Sequence, residues 1–262
     1  MNIKRFQLNS WPAHIKPFIL ALIFYALSAG TTLFHQSLAP HYVYLAYSLK
    51  RGLSYLDPLP PTTYDLLAFQ GHWYVAGSPT PALLMLPWVA VKGVAVSDIF
   101  FSVVIGAINV ALVSRLLAGL SRDKAFSRLQ NETLRRWITL FFAAGTAHWY
   151  ISSLGSVWFN AQVVAVMFML LYVHNVLTNG RTWLAGGWLA LAALARPTTL
   201  FAASFFLVFH LMKRPKPKAF LSKIIPFGLV LTGGLAALLF FNWMRSLSGR
   251  LLTPQSLFLV AS

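Results

Sequence analysis

Apolar residues in this chain run in long blocks, and polar residues collect between them. Uncharged or nearly uncharged runs occupy residues 17–38, 82–96, 99–120, 137–176, 183–212 and 224–243. A membrane-spanning helix needs about 20 consecutive apolar residues, so most of these blocks are long enough to cross a bilayer. The pattern predicts an all-α, polytopic bundle. Its helices are expected at 17–38, 99–120, 137–154, 159–177, 183–195, 198–212 and 224–243, about seven embedded crossings in one membrane domain covering residues 1–262.

The connections carry the orientation. Residues 39–97 form the longest polar-leaning stretch, and within it HYVYLAYSLKRG (His41 to Gly52) has helical apolar spacing and a basic, glycine-terminated end, as an interfacial helix does. The run at 82–96 is short and holds Pro87 and Lys92, which predicts a re-entrant or interfacial helix rather than a span. Basic residues cluster at the N-terminus (Lys4, Arg5, Lys16), in the loop SRDKAFSRLQNETLRR (121–136), at Arg181 and in KRPKPK (213–218). Lys and Arg accumulate on the cytoplasmic side, so these segments are expected inside and residues 39–97 outside, with the N-terminus cytoplasmic. For Arg181 and Lys213 to lie on one side, the run between them must turn back. The turn is expected at Ala195-Arg196-Pro197, because proline disfavours helix at the residue before it and an arginine is costly in lipid. Residues 244–262 are then expected outside.

Composition agrees. The chain is 58% hydrophobic and 10% charged, with a mean hydropathy of +0.66, too apolar to cover itself with a polar surface in water. Its net charge of +16 would suggest nucleic acid in a soluble protein. Here most of it falls in loops that set orientation, so no nucleic-acid partner is implied. With no cysteine, disulfide scaffolds, thiolate-ligated zinc and thiol catalysis are excluded. The sequence holds no P-loop, zinc-helix motif or nucleophile elbow, which argues against ATP-driven and hydrolase chemistry.

A few ionisable residues remain on the outward side. Asp65 lies in TYDLLAFQGHWYVAGSPTPALLMLP, where a carboxylate close to His72, Trp73 and Tyr74 suits proton abstraction beside aromatic faces that hold a sugar ring. A solvated loop aspartate fits the same spacing equally well. Asp57 in YLDPLPP reads more as a turn former than as a base. Arg196, at a helix break, can clamp a phosphate with two parallel N–H donors, or can satisfy carbonyls freed by the break. Lys50 and Arg51 could meet the same phosphate or touch lipid headgroups. His148 on an apolar helix reads as a core imidazole, and Trp88, Trp149, Trp158, Trp183 and Trp243 read as an aromatic belt.

The order of these pieces resembles the GT-C superfamily of multi-span glycosyltransferases: a first span, an outward loop with HYVYLAYSLKRG, GHWYVAGSPTPALLMLP ahead of a proline-framed helix, and LAALARPTTL in a later hairpin. Protein O-mannosyltransferases, lipid A aminoarabinose transferases and Rgt-type lipopolysaccharide enzymes are of this kind. The resemblance implies an inner-membrane enzyme of the cell envelope that moves a sugar, with inversion, from a polyprenyl-phosphate donor to an extracytoplasmic acceptor. It implies Asp65 as base, Arg196 as phosphate ligand, Lys50 and Arg51 as helpers, and His72 and Tyr74 as further substrate contacts. No cofactor is implied, and a divalent metal is optional because the donor carries its own leaving group. Family members usually place an acidic residue where Pro40-His41-Tyr42 stands here, so His41, Asp57 and Asp65 all remain candidates for the base. They also continue with further spans, which implies either a truncated member or a partner chain that supplies the C-terminal spans. The alternative from another class is a non-catalytic membrane protein: an assembly partner, a lipid carrier or an inactive remnant.

Overall fold

The computed structural model describes residues 11–178 and 180–251. The basic residues Lys4 and Arg5, and residues 252–262 of the outward segment expected at 244–262, lie outside the described residues. Ten α-helices and one β-hairpin are described: α1 (Trp11–Ala29), α2 (His41–Lys50), β1 (Leu66–Phe69), β2 (His72–Val75), α3 (Thr80–Lys92), α4 (Asp98–Leu120), α5 (Glu132–Ala144), α6 (Ala147–Leu154), α7 (Val157–Leu177), α8 (Thr182–Ala193), α9 (Ala203–Leu211) and α10 (Pro217–Leu251). The described residues are all-α apart from the two short strands.

Four helical stretches are long and apolar enough to cross a membrane: His14–Thr32, Asp98–Leu120, Val157–Leu177 and Pro217–Arg245. They make this an integral membrane protein. The structure does not by itself yield the seven crossings expected from the sequence. At 1.5 Å per residue α8 is only about 18 Å long, well short of a bilayer's hydrocarbon core, and α5, α6 and α9 are also shorter than a span.

Helix α4 packs on α1, α6 and α7, α7 packs on α8, and α8 packs on α10. Burial follows this order. In the most apolar window of α4, 67% of residues are buried, against 17% in α1 and 11% in α10, whose outer faces are left for lipid. Small and polar residues let α4 sit in the middle. A Cβ on Gly106 would stand 2.4 Å from the Ser152 hydroxyl, so only glycine admits α6 here. Asn109 donates to the Val163 carbonyl (2.9 Å) and Ser102 to the Ile151 carbonyl (3.1 Å). With little hydrophobic force between helices in lipid, such close approaches and interhelical hydrogen bonds hold the bundle.

Several boundaries differ from the sequence reading. The first helix occupies residues 11–29 rather than 17–38. The continuous helix expected at 137–154 is broken at Gly145, where Thr146 caps a new helix. The carbonyls freed by the break are taken by side chains: the Tyr25 hydroxyl donates to Ala143 (2.9 Å) and the Thr146 hydroxyl to Phe142 (2.9 Å). Helix α2, expected at an interface, has seven of its ten residues buried, among them Tyr42, Val43 and Leu45. The last helix runs beyond the 224–243 expected, from Pro217 to Leu251. The break at Ala195-Arg196-Pro197 is where the sequence places it. Proline lacks an amide hydrogen and ends α8, and the stranded Leu194 carbonyl accepts from the Thr80 amide at 3.3 Å, which pins α3 beside the break.

Candidate functional site

The loops between α1 and α4 gather at one end of the bundle. Their anchor is Asp98 at the first turn of α4, which is fully buried. Its carboxylate accepts from the Ser37 amide (2.8 Å) and hydroxyl (2.5 Å), the Ser156 amide (3.0 Å) and the Asn160 side chain (3.3 Å). One residue thus ties the segment between α1 and α2, the start of α4 and the start of α7 together. A helix N-terminus also favours an anion at that position.

The hairpin stands on this platform. Gln70 and Gly71 both have positive φ (49° and 77°), as a two-residue type I′ turn requires, and the register pairs Leu66 with Val75 and Leu67 with Tyr74. Just before β1 the fully buried His41 ring donates from Nε2 to the Tyr64 carbonyl at 2.7 Å. This fixes the residue next to Asp65, itself in the left-handed region (φ 60°) that aspartate tolerates.

Between the hairpin, α7 and the α8 break lies a cleft of about 570 Å³. Tyr42, Asp65, Leu67, Gly77, Trp158 and Arg196 are among its lining residues. The Trp158 indole N–H donates to Asp65 Oδ2 at 2.9 Å, and the Arg196 Nη2 donates to the Trp158 carbonyl at 3.2 Å. A carboxylate and a guanidinium 131 positions apart in the numbering are therefore held by one tryptophan, and the Arg196 Nε–H is buried with no partner among the described residues. Tyr42 lies under them, its phenol pushed up to about 12 by burial, with Arg196 and Arg245 pulling the other way. Gly77 leaves room for that ring: a Cβ there would stand 2.3 Å from the Tyr42 hydroxyl. The cleft can take an amphipathic ligand, since its lining combines apolar surface from Leu66, Val75 and Val157 with the opposite charges of Asp65 and Arg196.

The structure brings together Asp65 and Arg196 but not the other residues singled out in the sequence. Asp57 forms an exposed ion pair with Arg51 at 3.0 Å, so each occupies the other away from the cleft. Lys50 donates to the Ala90 carbonyl (3.1 Å), joining α2 to α3. His41 is buried behind the cleft as a brace, and burial holds its ring below the ordinary histidine range against the opposing bond to Tyr64. His72 stacks on Tyr55 with ring centroids 4.0 Å apart. Tyr74 is buried, its hydroxyl has no partner among the described residues, and its phenol is pushed up by burial. Among the described residues no group of three or more metal-ligating side chains converges.

Trp158 and Tyr42 went unrecognised in the sequence as parts of this site, and Asp98, one of the outward ionisable candidates, proves to be an anchor beside the cleft rather than a lining residue. A tryptophan at the start of a span reads as belt, and nothing local reveals that its indole reaches a carboxylate 93 positions away. No protein-family model, curated protein or solved structure matches the chain.

Proposed function

We propose that the protein is a membrane-embedded glycosyltransferase of the GT-C kind, taking its sugar from a polyprenyl-phosphate donor. The observation that supports this reading is the shared cleft: Asp65 and Arg196 line it together and are both bonded to Trp158. In the proposed reaction the acceptor hydroxyl gives its proton to Asp65 while its oxygen forms a bond to the anomeric carbon. The bond from that carbon to the phosphate oxygen breaks, the electron pair leaves with the phosphate, and Arg196 stabilises the charge that develops there. Asp65 suits the role because only Oδ2 is engaged by Trp158, leaving Oδ1 without a partner among the described residues.

On this reading the cleft faces the extracytoplasmic side of an inner membrane, the N-terminus is cytoplasmic, and α5 with α6, α8, and the segment through α9 add three short passages to the four long spans. The test is transfer from a radiolabelled polyprenyl-phosphate sugar by the purified chain. Asp65→Asn and Arg196→Gln are each expected to slow transfer by about 10²-fold or more, the usual effect of a base or of a charge-stabilising donor. Unchanged transfer in both variants overturns the assignment.

A further inference from the structure

The last described helix carries a second guanidinium toward the cleft end, one with no counterpart in the sequence reading. Helices α8 and α10 lie side by side in register. A Cβ on Gly186 would stand 2.4 Å from the Phe227 carbonyl, and one on Gly234 would stand 2.5 Å from the Ala190 Cβ and 4.0 Å from a Leu194 methyl. Positions 186, 190 and 194 thus meet 227 and 234 in the same order, so the two helices run parallel. Helix α8 ends at Ala193, whereas α10 continues.

Arg245 follows Gly234 by about three turns, ~16 Å along the axis, and so lies on the same face of α10. This carries its Cα past the end of α8 and beyond the break that holds Arg196, and a helical side chain leans back toward the N-terminus, in the direction of that break. Its guanidinium packs over the Phe241 ring at 4.2 Å, and its Nε and Nη2 are buried with no partner among the described residues. It acts electrostatically on Tyr42 in the cleft and on Tyr74 in the adjoining strand. Asp65 is the carboxylate in the cleft lining, and one of its oxygens is already bonded to Trp158. Two guanidiniums with unpartnered N–H donors therefore flank one buried phenol, with a single half-engaged carboxylate to offset them.

We propose that Arg245 is the second jaw of an anion clamp whose first jaw is Arg196, closing a phosphate group between α10 and the α8 break over Tyr42. Arginine suits this task because its planar fork pairs with phosphate oxygens through two hydrogen bonds at once. The clamp rests on reading the cleft as a site for a phosphate-linked ligand, and it assigns the phosphate two cations from separate helices. Lys50 and Arg51, the helpers expected from the sequence, take no part.

Binding separates this proposal from the reaction. The full chain in dodecyl maltoside, which carries no phosphate, is titrated calorimetrically with farnesyl phosphate, with farnesol as the neutral control and with inorganic phosphate as competitor. Farnesyl phosphate is expected to bind at least tenfold tighter than farnesol. Arg245→Gln and Arg196→Gln are each expected to weaken it by about ten- to hundredfold, the loss expected when a charged hydrogen-bonding partner is removed. Arg245→Lys, which keeps the charge but loses the fork, falls between, and it serves as the readout if Arg245→Gln fails to fold. Arg51→Gln leaves binding unchanged. Competition by inorganic phosphate supports a clamp for the free anion, and no competition with farnesyl phosphate binding retained supports a clamp for a lipid headgroup. Wild-type affinity in folded Arg245→Gln or Arg245→Lys overturns the clamp, as does equal affinity for farnesyl phosphate and farnesol. If the clamp binds phosphate but the wild-type chain transfers no sugar, the proposed reaction falls and the clamp stands.

Discussion

The two ends of the bundle use charge in opposite ways. At the end formed by the 121–136 loop and the start of α5, Arg122, Lys124, Arg128 and Arg136 are exposed, and the Arg136–Glu132 pair lies on the surface. Exposed charges of this kind are screened and contribute little to stability. They fit the task of orienting the chain across a bilayer. At the cleft end the charges are fewer, and those around the cleft are held by named partners. Asp98 has four donors, Asp65 has an indole, and Arg196 has a carbonyl. Asp98 is fully buried, and a desolvated charge of this kind is costly and persists where partners compensate it; Asp65 is exposed but still engaged. The abundant charge therefore says least about function, and the sparse charge says most.

That contrast can be broken experimentally. The largest expected effect is on activity: Asp65→Asn or Arg196→Gln lowers sugar transfer by about 10²-fold or more, while Lys124→Gln with Arg128→Gln at the other end leaves the rate within about twofold. Comparable losses at both ends would erase the distinction. Next comes stability. Asp98→Ala strands several buried donors and is expected to cost about 3–5 kcal/mol, read as a lowered thermal unfolding midpoint in detergent. Loss of Glu132 in the exposed pair costs under about 1 kcal/mol. Gly155→Ala should be intermediate, because Gly155 has φ 66° and its added Cβ would stand 3.0 Å from the Ile99 backbone. A loss of about 2 kcal/mol or more is expected from strain and crowding together.

The smallest effect is on pH. Burial holds the folded His41 ring below its ordinary value of 6.5, so below pH 6.5 the unfolded chain binds a proton that the folded chain resists. Its contribution to stability is complete above pH 6.5 and is lost as the pH falls. The unfolding midpoint of the wild type should drop in that window more steeply than that of His41→Asn. Identical slopes would remove His41 as the brace behind Asp65.

The sequence made some of this legible and hid the rest for physical reasons. Long apolar runs reveal spans because lipid demands them, and Arg196 next to a proline marks a break that cannot be hidden in hydrocarbon. Asp65 stood out as a carboxylate among aromatics. The break at Gly145 did not, since one of the two side chains that satisfy it, Tyr25, comes from α1 more than a hundred positions earlier. Asp98 stood among the outward ionisable residues, but its role as an anchor was not legible, because its partners lie 58 to 62 positions away along the chain. Arg245 was missed because the apolar run fades at Trp243, whereas the helix continues on its own hydrogen bonds and carries the next basic residue past the end of α8.

Because the natural chain has no cysteine, one introduced thiol reports on one place. Leu67→Cys puts it in the cleft lining at an exposed position, and Ser127→Cys puts it on the opposite, basic end. The decisive measurement is the rate of maleimide labelling of each variant with and without a saturating polyprenyl-phosphate sugar. The account predicts that the donor slows labelling at position 67 several-fold and leaves position 127 unchanged. Equal rates at position 67 with and without the donor would contradict it.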